Sequence, residues 1–470
     1  MLDITNLTVK TAHQLLLSKQ VKAEELTKEF LERAVGLNDR LNSYITITAA
    51  EAIDSAKKVD KLIADGQPLS QLAGIPIAIK DVYLTRGIKT TAASKVLENY
   101  IPVYNATVVS KLREANAVIL GKTNLDAWAH GSSGENSDFG PTKNPYDQKR
   151  VPGGSSSGSA VAVASSTCLA ATGTDTGGSI RLPAAFCNLV GLKPTYGRVS
   201  RNGIIAMASS LDSIGHLTKT VYDNALILNT TAGHDPMDAT TSTKPVDDYT
   251  RGIEKGVRNI KIGIPREYFE NLATEIKNLI TTAVKKLEGQ GAKVAEISLP
   301  NTKYGVAAYY IIQPSEVSSN LARYDAVKYG NSRDAFGAEA KRRIILGTFT
   351  LSAGYYDAYY LKAMKIRRLI REDLRKSFKK VDVIIAPTSP TVPFKLGEKI
   401  DDPLQMYLSD IFTPTMNLAG VPSLNIPCGF VDNLPMGMQI VGPDFSEKLL
   451  YQVAYSYEQE TKWWQKTPKL

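Results

Sequence analysis

The stretch Val151-Pro152-Gly153-Gly154-Ser155-Ser156-Ser157-Gly158-Ser159, answered downstream by Gly173-Thr174-Asp175-Thr176-Gly177-Gly178-Ser179-Ile180-Arg181, decides how the rest of the chain reads. Between Val151 and Ile180 the single charged residue is Asp175. Glycine beside serine lets hydroxyls come close to other backbone. In an uncharged site every hydrogen bond to developing charge is strengthened. Consecutive amides at a Gly-Gly-Ser turn can converge on one oxyanion. A serine in such a turn needs a base before it can act as a nucleophile. Upstream, Leu72-Ala-Gly-Ile-Pro-Ile-Ala-Ile-Lys80 is a short apolar run ending in a lysine, which reads as a buried strand. Burial disfavours the charged ammonium and leaves a neutral amine, the base that a site without histidine requires.

On either side of this stretch the hydrophobic pattern alternates between the two periods. Strands are expected at 117–121, 169–174, 261–264, 294–299 and 381–386, and helices at 108–115, 274–289 and 355–380. Residues 1–65 read as an N-terminal helical segment, with Thr8 as a cap and Leu15, Leu16, Leu26, Phe30 and Leu31 as apolar stripes. Such alternation predicts an α/β architecture with a parallel or mixed sheet. There is no repeat of 20–50 residues and no long linker, so the Gly/Ser-rich loop is an active-site loop rather than a tether.

The 470 residues are 43% hydrophobic and 22% charged, a balance that excludes disorder and collagen-like classes. Three scattered cysteines, Cys168, Cys187 and Cys428, offer neither a disulfide framework nor a thiolate zinc site, which suits a reducing, cytoplasmic compartment. The opening Met1-Leu2-Asp3-Ile4-Thr5 lacks a secretory pattern, and no uncharged apolar run reaches the length of a spanning helix. The net charge is +9, and nine Lys or Arg fall between Lys362 and Lys380. Leu361, Met364, Leu369, Leu374 and Phe378 recur there at helical spacing, so the run reads as a solvated helix face rather than a nucleic-acid site.

Two rival motifs fail on chemistry. Gly121-Lys122-Thr123 resembles the end of a phosphate loop, but the position needing the first glycine is Asn116. Gly154-Ser-Ser156-Ser-Gly158 matches a nucleophile elbow, with Asp212 and His216 or His234 as partners. The elbow needs an apolar strand before it, and Gln148-Lys-Arg-Val-Pro152 is a poor one.

Residues 153–162 joined to 173–181 resemble the amidase signature family. The resemblance maps its Ser–cis-Ser–Lys triad onto Ser179 (nucleophile), Ser155 (bridging serine) and Lys80 (base), with a cis Gly154–Ser155 peptide. It places the oxyanion hole at the amides around Thr176, Gly177, Gly178 and Ser179. It implies a central mixed β-sheet covered by helices on both faces, one domain over 1–470 and a triad-bearing core at 72–215.

Further segments are similar to the A subunits of glutamyl-tRNA(Gln) amidotransferases. They are Gly121-Lys-Thr-Asn-Leu-Asp126, Glu135-Asn-Ser137, Gly191-Leu-Lys-Pro-Thr-Tyr-Gly-Arg-Val-Ser-Arg201, Ser209-Ser-Leu-Asp212, Ser319-Asn-Leu-Ala-Arg-Tyr-Asp325, Leu351-Ser-Ala-Gly-Tyr-Tyr-Asp-Ala-Tyr-Tyr360 and Asn417-Leu-Ala-Gly-Val-Pro422. That likeness implies a cytoplasmic glutaminase that passes ammonia to a B subunit, which uses ATP and magnesium on the misacylated tRNA while a C subunit braces the pair. No cofactor or metal is expected in this chain, no membrane contact, and tRNA only through the complex. It implies a glutamine pocket of Tyr309, Arg343 and Asp410, with Tyr310 and Arg342 competing for the first two places. An arginine suits the α-carboxylate and an aspartate the α-ammonium. The rivals are a free-standing amidase on another small amide, and a structural subunit without catalysis. The chain departs from the family pattern at Gly134, Ser157, Leu182 and His216, and in a short segment at 329–341.

Overall fold

Short β-branched runs bounded by Gly, Pro and Asn become strands β1 (Tyr44–Ile47), β2 (Pro76–Lys80), β3 (Val118–Thr123), β4 (Ala170–Asp175), β5 (Val190–Lys193), β6 (Ser213–Thr218), β7 (Lys261–Pro265), β8 (Lys293–Ile297), β9 (Val383–Pro387), β10 (Ser423–Val431) and β11 (Leu434–Val441). They form one sheet in the order β1-β3-β2-β4-β6-β5-β10-β11-β9-β7-β8. The computed structural model describes residues 3–328 and 330–470. Met1, Leu2 and Tyr329, which opens the short segment 329–341, lie outside the described residues. The fold is α/β, a mixed central sheet flanked by helices.

The expected strands at 72–80, 117–121, 169–174, 261–264, 294–299 and 381–386 correspond to β2, β3, β4, β7, β8 and β9. The N-terminal segment is not helical throughout. Helices Ala23–Leu41 and Ala49–Ala64 flank β1, which pairs antiparallel with β3. Its Tyr-Ile-Thr-Ile run covers a sheet edge that would otherwise expose unpaired amides. The first of these helices buries Leu26, Phe30, Leu31 and Ala34, an apolar stripe at helical spacing.

Sheet order positions the site. Strands β2, β3 and β4 run parallel, and β6 runs antiparallel beside β4. The ends of β2 and β4 and the start of β6 therefore bring Lys80, Asp175 and Asp212 to one edge of the sheet, with Asp126 just past β3. Ligands in α/β sheets gather at the carboxyl ends of parallel strands. Helix Ser157–Ala164 is buried along its whole length and packs on β2 and β4. Helix Arg181–Phe186 is also wholly buried and packs on β5, β10 and β11.

Several sequence signals resolve here. Gly121-Lys122-Thr123 lies in buried β3, where Lys122 pairs with Asp81 at 2.9 Å and donates to the Thr90 hydroxyl at 2.7 Å, so it cradles no phosphate. The basic run forms helix Lys362–Ser377 after a π-helical turn at Tyr356–Leu361. Arg367 turns inward to the Leu418 carbonyl (2.8 Å) and Ser210, while Arg368 is exposed. The departures at 134 and 157 compensate: a Cβ on Gly134 would lie 2.6 Å from the Ser157 Cβ, so only one of the two can carry a side chain. Leu182 joins Val151, Phe186 and Phe394 in a buried cluster. Among the described residues no helix is long and apolar enough to cross a membrane.

Candidate active site

Lys80 ends β2 with its side chain fully buried and donates through Nζ to Ser155 Oγ (2.9 Å), Ser156 Oγ (2.9 Å) and Thr174 Oγ1 (2.8 Å). An ammonium has three donors, and all three are used. As a neutral amine it has two donors and a lone pair, so one of these hydroxyls must then donate to it. Burial lowers the Lys80 ammonium to about 7, against the opposing pull of Asp126, Asp175 and Asp212. The sequence singled out Ser155 alone. Ser156 and Thr174 join because β4 lies beside β2 and the Ser156 hydroxyl also donates to the Thr174 carbonyl at 3.3 Å.

Ser155 follows a cis peptide bond from Gly154. Its carbonyl accepts from the Asp126 amide at 3.2 Å, and the next amide, Ser156, donates to the Ser179 carbonyl at 3.1 Å. Those two bonds tie the Ser155 loop to the Ser179 turn and to the segment after β3. The Asp126 carboxylate accepts from the amides of Gly134 and Asn136 at 3.0 Å each, and burial raises it to about 6 against those bonds.

The Ser179 turn is built on Asp175, whose carboxylate accepts from Gly178 N–H (2.8 Å), Ile180 N–H (3.2 Å), the Arg181 guanidinium (3.0 Å twice) and Asn417 Nδ2 (3.0 Å). Arg181 is itself fully buried and also donates to Gln439, Thr413 and Asn417. Neither Arg181 nor Asn417 was singled out in the sequence. The available signal was the lone Asp175 in an uncharged stretch, which needs a buried partner. Of the amides proposed for the oxyanion hole, Gly178 is already engaged by Asp175. Those of Gly177 and Ser179 donate to no group among the described residues. The Thr176 amide likewise donates to no group among the described residues, while its hydroxyl donates to Asp212 at 2.7 Å.

No histidine enters this arrangement. Asp212 accepts from Thr176 and the Met207 and Ala208 amides, while His216 is buried in β6 with both ring nitrogens unpartnered among the described residues, and His234 lies beside Thr241. The elbow reading therefore lacks its base. Among the described residues no three His, Cys, Asp or Glu groups are placed to hold a metal ion.

The profile of the amidase family matches residues 25–451. The chain belongs to the amidase family. This family member is 52% identical over 469 residues to the A subunit of the glutamyl-tRNA(Gln) amidotransferase of Persephonella marina, spanning 96% of this chain and 97% of that one. Among solved structures, the A subunit of the glutamyl-tRNA(Gln) amidotransferase of Thermotoga maritima superposes with a TM-score of 0.84 at 44% identity, over 98% and 96% of the two chains. The peptide amidase of Stenotrophomonas maltophilia superposes at 0.85 with 31% identity, over 98% of each chain.

Beside the Ser179 turn this amidase-family chain places Tyr309, Tyr310, Asp410 and Arg343. A Cβ on Gly177 would lie 2.5 Å from the Tyr309 ring, so glycine there lets the phenol reach the turn. Thr413 accompanies it, donating to the Gly177 carbonyl at 2.6 Å. Tyr310 lies edge-on to Tyr309, stacks on Tyr407 at 3.8 Å and donates to Asp410 at 3.4 Å. Burial pushes the Asp410 carboxyl well up, with Arg343 opposing. Arg343 is 3% exposed and lies over Tyr310 and Tyr407, whereas Arg342 points outward to Glu339. The choice between neighbouring arginines is one of helix phase: one residue is a 100° rotation.

If Lys80 is the base, activity depends on its neutral form. kcat/KM should rise with pH through about 7, the value given by burial, and level off above it. A pH–rate profile on glutamine checks this; one that falls through the same range would contradict it.

Proposed function

We propose that this chain is the glutamine-hydrolysing subunit of a tRNA-dependent amidotransferase, acting through Ser179, Ser155 and Lys80. The observation that carries the reading is the buried Lys80 amine 2.9 Å from Ser155 Oγ, on a loop bonded to the Ser179 turn. Ser179 Oγ attacks the side-chain amide carbon of glutamine. Its proton passes through Ser155 to Lys80, and the developing oxyanion meets the unengaged amides of Gly177 and Ser179. Collapse breaks the C–N bond, and the proton held on Lys80 returns through Ser155 to the departing ammonia. Water then hydrolyses the glutamyl ester by the same relay, releasing glutamate and restoring Ser179.

Tyr309, Arg343 and Asp410 are the proposed glutamine pocket. Charges of both signs fit a zwitterion, and a substrate ammonium would offset the burial that pushes the Asp410 carboxyl up. The relatives are A subunits of glutamyl-tRNA(Gln) amidotransferases, which supports further subunits as partners; we take these to be B and C subunits, with ATP and magnesium on the B subunit and the complex in the cytoplasm. We take the chain as one amidase domain with its triad core at 72–215. A free-standing amidase is the second reading, favoured by the likeness to a peptide amidase.

Asp410→Asn separates the two. It keeps the shape and removes a charge-assisted contact, so kcat/KM for glutamine should fall by about one to two powers of ten more than for propionamide, which has no ammonium. The assay compares both substrates on both enzymes, purified with any subunits that accompany them. Equal losses would make Asp410 structural, and no loss on either substrate would place it outside the pocket and return the free-standing amidase to first place.

A further inference from the structure

Gln313 lies on helix Gly305–Asn320, fully buried, next to the pocket arginine. Its Oε1 accepts from Arg343 Nη1 at 2.9 Å. That bond dictates the amide orientation, because a guanidinium has only donors and must face the carbonyl oxygen. The Nε2 group is then left with two N–H donors and no partner among the described residues. Burying a donor without an acceptor is costly, so an unpartnered buried N–H points to a ligand that would accept from it. It is not alone. Arg343 gives Nε to Glu339 at 2.7 Å and Nη1 to Gln313, while its Nη2 makes no hydrogen bond among the described residues. His130 is also buried, with both ring nitrogens unpartnered among the described residues. Burial and the nearby Arg343 charge hold that imidazole well below its ordinary range, so it stays neutral and carries one further N–H. It precedes Gly131 and Ser132, which line a small cavity with Tyr310, Glu339, Arg342, Arg343 and Tyr407.

We infer that Gln313 is a specificity residue: its Nε2 donates to the α-carboxylate of the free amino-acid substrate, beside the Nη2 of Arg343. This rests on the reading of the Arg343 pocket given above and adds a residue to it. A carboxylate has about four lone-pair sites and can accept from the guanidinium fork and the amide together. Gln313 would thus hold Arg343 with one atom and the substrate with the other. An amide lacking the carboxylate would leave that donor buried and empty, which is how a site rejects an analogue missing one polar group.

The test separates holding Arg343 from touching the substrate. Gln313→Glu keeps an acceptor against Arg343 but replaces the N–H donors with an oxygen that repels a carboxylate. Glutamine is compared with 4-aminobutanamide, the same amide without its carboxylate, on the full chain with its accompanying subunits. KM for glutamine should rise about 10- to 100-fold more than for 4-aminobutanamide. Gln313→Leu, uncharged, should shift the ratio in the same direction, and turnover of 4-aminobutanamide reports whether each variant is folded. A Gln313→Glu enzyme that keeps its preference for glutamine would overturn the inference and leave Gln313 a support for Arg343. Equal losses on both amides would make the residue structural. A wild-type enzyme with no preference for glutamine over 4-aminobutanamide would overturn the pocket reading itself, and this inference with it.

Discussion

Ser179→Ala is expected to lower glutamine hydrolysis by about four to six powers of ten while leaving stability within about 0.5 kcal/mol of wild type. The first number follows from loss of the attacking oxygen. The second follows from the structure: the Ser179 hydroxyl makes no hydrogen bond to the described chain, and the turn is held by its carbonyl, by Asp175 and by Arg181. Lys80→Ala and Ser155→Ala should each cost several powers of ten as well. Because the three act as one relay, the double variant Lys80→Ala/Ser155→Ala should be far less damaging than the product of the single losses. Single-turnover release of ammonia, measured beside a denaturant titration, checks both statements. Wild-type turnover in Lys80→Ala at neutral pH would remove the lysine from the mechanism.

Asp175→Asn is expected to destabilise the chain by about 3–5 kcal/mol, because it leaves the buried Arg181 charge without its counterion. Burial by itself would raise the Asp175 carboxyl, but Arg181 and the surrounding donors outweigh it and pull it down to about 2 from 3.8. A folded value below the unfolded one means this stabilisation is fully present above about pH 4 and is lost as the pH falls towards 2. Chemical denaturation of wild type and variant should therefore differ most at neutral pH and converge in acid. Asp175 also accepts from Gly178 and Ile180 on either side of the nucleophile, so the variant should lose activity even where it remains folded. Equal stability of the two proteins at pH 7 would show that Arg181 finds its counter-charge elsewhere.

What local pattern could determine, it did. The alternation of periods was enough for an α/β fold and for the strands that end in Lys80 and Asp175. Those strands are short apolar runs that must be buried, and a lysine or aspartate at the end of one cannot be idle. Glycine and serine density was enough to mark the two loops, since close backbone approach needs small residues, and the resemblance to the amidase family singled out Ser155 and Ser179 within them. Strands β5 and β6 escaped because a four-residue Val-Gly-Leu-Lys run and a Ser-Ile-Gly-His-Leu-Thr run have no clear period. The β10–β11 hairpin turns at Asp432-Asn433, both in the left-handed region, which two asparagine-type residues permit without a glycine.

The sequence by itself determined which groups are candidates for chemistry: a lysine at the end of an apolar run, hydroxyls on a loop that is nearly all glycine and serine, and one carboxylate in a neutral stretch. Each is a statement about neighbours along the chain, where burial and backbone freedom are written. Only the tertiary structure decided what those groups face. The order β3-β2-β4-β6 puts Ser156 and Thr174 on Lys80 and spends the Gly178 amide on Asp175, and the packing of helix Ala338–Thr350 against helix Gly305–Asn320 buries Arg343 rather than Arg342. The same helix pairing leaves the Gln313 amide beside Arg343, 30 residues away in sequence, with a donor to give. Pairings of that kind depend on which strands and helices become neighbours, and no local periodicity carries that information.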